Sequence, residues 1–219
     1  MNKIATILPY KENYTKNNAG AASLWVCDFL KYSKYKNNNT IYGNTIFKSY
    51  LTKNYTNIPL EKTNSKFTST TRDYCNQLII KLKPKNYDII EIHNRPQVFF
   101  LLKDKLPSKY ILYFHNDPLS MKGSMSIQDR KNLIQNCEKI IFNSQWCKSR
   151  FTKGLNVDDL INKVEVIHQS TSKVNVNFKD KKKIISFIGK LNSSKGYDAF
   201  GKAILKILDD FPKWHSVVI

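Results

Sequence analysis

Apolar and polar positions along the chain switch between two periods. Short runs rich in β-branched residues are each followed by a longer stretch with helical spacing, the pattern of βαβ units around a parallel sheet. Lys3 to Leu8 reads as the first strand. Gly20 to Ser33 reads as a helix whose apolar positions (Ala21, Ala22, Leu24, Trp25, Val26, Phe29, Leu30) nearly encircle it, which predicts burial on most sides. Thr40 to Phe47 is a weaker strand with Gly43 inside it, and the polar stretch 48–66 offers no period to assign. Phe67 to Lys83 is a helix stopped by Pro84. Tyr87 to His93 follows as a strand, with Pro96 in the first turn of the next helix.

The same alternation continues. Lys109 to His115 is a strand running into the Asn116-Asp117-Pro118 turn, and a helix begins at Ser126 with Asp129 placed for a capping-box contact. Glu138 to Asn143 is a strand, Gln145 to Phe151 a short helix, Val157 to Asn162 a helical turn and Val164 to His168 another strand. Residues 1–170 are thus expected to form one Rossmann-like α/β domain, a parallel sheet flanked by helices. Residues 171–183 are polar and lysine-rich, as a linker would be. A new unit then opens with strand Ile184 to Ile188, loop 189–195, helix Gly196 to Asp210 and strand Trp214 to Ile219. So short a piece cannot bury a core alone, so 184–219 is expected to be the start of an incomplete, truncated domain.

Composition narrows the functional classes. Hydrophobic residues make up 41% and aromatics 12% of 219 residues, enough for a core despite a net charge of +19. No apolar run approaches the roughly 20 residues of a membrane span, and Ile4 to Leu8 is too short for a signal-peptide core. A cytoplasmic protein is expected. Cys27, Cys75, Cys137 and Cys147 form no CxxC pair, so neither a disulfide framework nor a zinc site is expected, and the first three fall at buried helical positions. Only Arg72, Arg95, Arg130 and Arg150 are arginines among 36 basic residues. Lysine and asparagine excess with scarce arginine is what AT-rich coding produces, so part of the charge is compositional. The remainder suits peripheral contact with an anionic membrane. It does not point to nucleic acid, because no RNP-like strand, zinc knuckle or KH-type loop accompanies it.

Candidate chemistry gathers at strand ends, where open parallel sheets bind ligands. Asn17 to Gly20 join the first strand to its helix, and a glycine before a helix N-terminus permits phosphate approach, though it equally serves a plain turn. His93 and His115 both end strands, each followed by Asn and soon by Pro. Arg95 stands at a helix start, where the dipole disfavours a cation unless an anion is near. There is no G-x-S-x-G elbow, no Walker loop and no carboxylate pair, which disfavours the main hydrolase classes. The strongest local signal is Ile185 to Asp198. Its strand ends in Gly189, and Lys190 and Lys195 flank a small polar loop that opens a helix. Two ammonium groups and a helix N-terminus suit a diphosphate; the alternative is a βα loop with solvated lysines.

This stretch resembles the second-domain opening of glycosyltransferase family 4, retaining enzymes of the GT-B fold. Lys190 stands where the family has Arg, which keeps the cation but loses the planar fork; Lys195 and Gly196 match its Lys-Gly, and Ala203 a small helix residue. The likeness extends to Glu12–Gly20, Asp88–Pro96, Tyr113–Asn116, Cys137–Phe151 with Asn143 and Ser144, and Lys163–Gln169.

What the resemblance implies is specific. The first domain would bind a glycan or glycolipid acceptor through Glu12, His93, Asn94, Arg95, Asn143 and Ser144. The second would bind a nucleotide-sugar co-substrate through Gly189, Lys190 and Lys195, with main-chain N–H groups near Gly20 assisting. His115 would act at the reacting sugar or acceptor hydroxyl. No metal or other cofactor is implied. The family's glutamate pair lies beyond Ile219, so this chain alone is expected to be inactive. The competing reading is a non-catalytic basic module for an anionic polymer or lipid.

Overall fold

The computed structural model describes residues 2–60, 69–156, 162–171, 173–177, 179 and 181–219. The chain divides into two compact units, Met1–Ser172 and Lys173–Ile219.

The first unit is a seven-stranded, wholly parallel sheet. Its strands are β1 (Ile4–Ile7), β2 (Asn39–Gly43), β3 (Tyr55–Asn57), β4 (Ile89–His93), β5 (Lys109–Phe114), β6 (Lys139–Phe142) and β7 (Val164–Val166), in the spatial order β3-β2-β1-β4-β5-β6-β7. The chain runs outward from β1 to β3, crosses back, and resumes at β4 on the other side of β1. The order therefore reverses between β1 and β4, and a crevice opens at their carboxyl ends. The register sets Ile7 beside Ile92 and His93 beside Tyr113.

Alternating side chains serve two cores. On one face Ala5, Ile7, Ile90, Ile92, Leu112, Phe114, Ile140 and Phe142 join a single apolar cluster. Helices α2 (Thr70–Leu82), α3 (Pro96–Leu102), α4 (Ile127–Asn136) and α5 (Gln145–Thr152) contribute Leu78, Phe99, Leu133 and Phe151 to it. The other face carries α1 (Ala21–Tyr32), whose Trp25, Val26, Cys27 and Leu30 pack with Leu8, Ile41, Tyr113 and Ile141. Both faces are covered, as parallel sheets require.

Several expectations need correction. Helix α1 is buried along one side only: Leu24 and Phe29 are 48% and 44% exposed, because a single helix laid on a sheet hides only the stripe that touches it. The strand expected to run to Phe47 stops at Gly43. A side chain there would meet the Tyr55 hydroxyl at 2.9 Å, and Thr45 N–H turns to the Asn57 side chain instead. The unassigned polar stretch contains β3, three residues held beside β2. Strands β1 and β4 to β7 begin or end one to two residues inside the expected limits. Helix α2 begins at Thr70, where Ser69 accepts the Arg72 N–H; the expected start at Phe67 and the turn near 157–161 lie outside the described residues. Ser126 caps α4 by accepting the Asp129 N–H at 3.0 Å. All four cysteines are free and buried.

The second unit is a β-α-β piece. Strands β8 (Ile184–Phe187) and β9 (His215–Val218) pair in parallel, joined by α6 (Tyr197–Asp210). Phe187 meets the rings of Tyr197 and Phe200 at 5.4 and 5.3 Å, and Ile204 is the one buried hydrophobic residue among those described in this unit.

Candidate active site

His93 ends β4 and His115 follows β5, so the register that aligns the two strands also aligns their terminal imidazoles. His93 Nδ1 lies 2.8 Å from His115 Nε2, and the rings stack at 5.1 Å. Tyr113 stacks under His93 at 4.6 Å, and Trp25 of α1 packs over His93, Tyr113 and His115 at 5.1 to 5.5 Å. Gln169 closes the row: its Nε2 lies 2.7 Å from His115 Nδ1. An amide nitrogen only donates, so in this arrangement His115 accepts at Nδ1, carries its proton on Nε2 and donates to His93 Nδ1. Burial among these rings pushes His115 down to about 4, and burial together with the neighbouring His115 holds His93 well below the usual imidazole range. Both are neutral near pH 7.

The backbone around them is tightly fixed. Asn94 and Arg95 are both left-handed, at φ 54° and 55°. Asn94 N–H donates to the Tyr113 carbonyl at 2.7 Å, and its Oδ1 accepts the His115 N–H at 2.9 Å. From the other side Asn143 Nδ2 donates to the His115 carbonyl at 2.8 Å. Ser144 caps α5 by accepting the Cys147 N–H. Asn143 and Ser144, expected to face an acceptor, thus both have internal partners.

Gly20 meets a different group from the one expected. Its place before α1 is filled by Glu12, whose Oε1 accepts the Ser23 N–H at 3.2 Å. A Cβ on Gly20 would stand 2.0 Å from that oxygen, so the residue is glycine because a carboxylate lies against it. An incoming phosphate would have to displace Glu12.

Beyond β1 and β4 lies a cleft of about 570 Å³ whose walls include Tyr10, Lys11, Asn94, Arg95, Asn116 and Lys122. A larger hollow of about 760 Å³ sits where β4 and β5 begin, near Tyr87, Asp88, Lys105 and Lys109, remote from the strand ends that carry the histidines. Sequence reasoning missed Gln169, Tyr10 and Lys122. The Asn116-Asp117-Pro118 turn was the available signal for Lys122; none pointed to Gln169.

In the second unit Gly189, Lys190 and Lys195 share the corner between β8 and α6. Gly189 N–H donates to the Ile219 carbonyl, and Gly196, left-handed at φ 76°, admits the chain to α6 with no side-chain cap. Lys190 and Lys195 are exposed and have no acidic partner among the described residues. No three His, Cys, Asp or Glu converge on a metal position among the described residues, and none of their helices is long and apolar enough to cross a membrane.

No protein-family model and no curated protein matches the sequence. Solved structures do match its fold. HepE of Anabaena in complex with UDP-glucose aligns over 98% of this chain and 60% of its own, at TM-score 0.66 and 11% identity. Sucrose-phosphate synthase from Thermosynechococcus elongatus aligns over 99% and 62%, at TM-score 0.68 and 10% identity. The lipopolysaccharide outer core galactosyltransferase WaaB aligns over 99% and 60%, at TM-score 0.60 and 14% identity. The chain spans about 60% of the length of these structures. It has their α/β, Rossmann-like arrangement, a parallel sheet flanked by helices of the GT-B kind.

Proposed function

We propose that this chain carries the acceptor side and part of the donor side of a retaining glycosyltransferase of the family-4 type. It would take a sugar from a nucleotide-sugar and place it on a glycan or glycolipid. The observation that carries the reading is the crevice at the β1/β4 reversal, where neutral His93 and His115 are held side by side next to a polar cleft. A GT-B fold shared with nucleotide-sugar enzymes supports it.

In the transfer, the bond from the anomeric carbon to the diphosphate breaks. A bond from that carbon to an acceptor oxygen forms, and the acceptor hydroxyl passes its proton to the departing diphosphate oxygen. His115, neutral and fixed at its backbone, orients the hydroxyl or the sugar once Gln169 yields its ring nitrogen. Lys190, Lys195 and the Gly189 corner offset the charge that develops on the departing diphosphate, so the role expected of a metal elsewhere falls to ammonium groups. The site is reached from the cytoplasm, and the chain's net charge of +19 favours an acceptor at an anionic membrane surface.

The test is donor binding by isothermal titration with UDP, UMP and uridine, then with UDP- and GDP-sugars. UDP is expected to bind at least about tenfold more tightly than uridine, and Lys190→Ala and Lys195→Ala each to remove most of that gain. Equal binding of UDP and uridine, or no loss in the double variant, would overturn the donor assignment. For a turnover-competent form, anomeric configuration read by NMR decides retention.

A further inference from the structure

Three cations meet in the 570 Å³ cleft without acidic partners among the described residues: Lys11, Arg95 and Lys122. The cleft's one lining carboxylate, Glu12, is engaged with the Ser23 N–H. Two of the three are placed at a structural cost. Lys11 and Arg95 are left-handed at φ 68° and 55°, where a glycine or asparagine would sit with less strain. The Arg95 guanidinium lies 4.8 Å from the centre of the Tyr10 ring, a contact that holds it at the wall.

Lys122 rides on a pinned loop. Asp117 takes a two-point ion pair from Arg150, Ser124 Oγ donates to the Pro118 carbonyl, and buried Arg130 donates to the Ser124 and Met125 carbonyls. Gly123, at φ 95°, packs against the Gln97 backbone. The loop is therefore fixed on both sides of Lys122. Asn94, Gln97 and Asn116 add polar groups on the walls, and Met121 an apolar one.

We propose that this cleft binds a phosphate ester, so that the acceptor is anionic: a sugar phosphate or a lipid carrying a phosphate monoester. The inference rests on the acceptor-side reading above and names its substrate class. The planar guanidinium takes two phosphate oxygens, and the two ammonium groups take the rest as point charges. The backbone positions that carry the cations are already formed, so binding costs little backbone ordering, which makes the strain at Lys11 and Arg95 explicable.

The experiment titrates the 219-residue chain at 150 mM salt with glucose 6-phosphate, glucose and inorganic phosphate. It is paired with flotation on phosphatidylcholine vesicles with and without phosphatidic acid. Variants are Arg95→Gln, Lys122→Gln on its exposed loop, and the control pair Lys36→Gln/Lys53→Gln from a separate depression; thermal melts check that each is folded. The proposal expects a phosphate compound to bind and glucose not to, with a loss of about tenfold in each cleft variant and none in the control pair. Cleft-dependent binding of glucose 6-phosphate assigns a soluble ester, and cleft-dependent binding of phosphatidic acid vesicles alone assigns a lipid. Binding that falls equally in the control pair, or no phosphate-specific binding, overturns it. UDP binding measured on the same samples separates the two ideas: its loss with retained ester binding removes the transferase reading and leaves the phosphate site standing.

Discussion

His93 Nδ1 and His115 Nε2 are 2.8 Å apart, in two rings that lie 19° from parallel, and the pair shares one proton along that line. Burial beneath Trp25 and Tyr113 disfavours the charged form of either ring, and a proton added at His93 Nδ1 would also break this bond. Burial is why both are neutral. It also couples the stability of the unit to pH.

The sign follows from the depressed imidazoles. The unfolded chain takes up protons on both histidines near pH 6.5, while folded His115 resists until about 4 and His93 is likewise held well below its ordinary range. Stability is therefore complete above about pH 7 and falls as pH drops from about 6.5 toward 4. The His115 share is on the order of 2–3 kcal/mol before any discount for its partial exposure. Buried Glu91, raised above the usual carboxylate range by burial, works in the opposite direction at the acid end, because the folded state accepts its proton first. Chemical denaturation at pH 7.5 and 5.0 measures the difference. His115→Asn is expected to flatten the profile; an unchanged slope would remove His115 as its source.

Gln169 sets the direction of the hydrogen-bond row, so changing its charge should move the ring it touches. Gln169→Glu places a carboxylate 2.7 Å from His115 Nδ1, which favours the protonated ring and turns Nδ1 from acceptor to donor. The His115 titration, followed by histidine NMR, is expected to rise by about one pH unit or more. Gln169→Ala should leave the melting temperature within about 2 °C, since the side chain is exposed. A Glu variant that titrates like the parent would show that Gln169 does not hold the ring in solution.

These two residues mark where sequence reading succeeds and where it stops. His93 and His115 were legible because apolar strand patterns end on them, and parallel strands in register bring such ends together. Arg95 was legible as a cation at a helix start, whereas the β1/β4 crevice was not, because strand order is set by long-range pairing. Gln169 was not legible: it has no partner within fifty residues of sequence, and only the return of β7 to the sheet brings it to His115. Strand β3 was hidden for a similar reason, since three residues pairing with an edge carry no period. The Glu12 contact at Gly20 was not legible, because a short loop lets Glu12 fold back onto the helix and a free helix N-terminus reads the same in sequence as one already filled.

The Glu12–Gly20 contact gives a mutational cycle. Gly20→Ala forces the carboxylate off the α1 N-terminus, and Glu12→Ala removes it directly; each is expected to cost about 1–2 kcal/mol, the value of a helix cap with its dipole contact. Because both changes remove one interaction, the double variant should lose little more than either alone. Urea denaturation of the four proteins checks this. Additive losses would mean that the carboxylate and the glycine act separately.

Asn94 joins the strained backbone to the His115 ring, and its replacement tests whether that junction is structural. Its left-handed φ of 54° suits asparagine better than alanine by about 1 kcal/mol. Its Oδ1 is also the acceptor for the His115 N–H, a partly buried bond whose loss costs about 1–3 kcal/mol. Asn94→Ala is therefore expected to destabilise by about 2–4 kcal/mol. Asn94→Gly, which relieves the backbone but leaves the same N–H unpaired, should fall short of that by roughly 1 kcal/mol. Asn94→Asp keeps both the oxygen and the tolerance for this φ, and should restore most of the loss at pH 7. If glycine and aspartate were equally good replacements, the hydrogen bond to His115 would carry no weight, and the ring's position would have to come from Trp25 and Tyr113 alone.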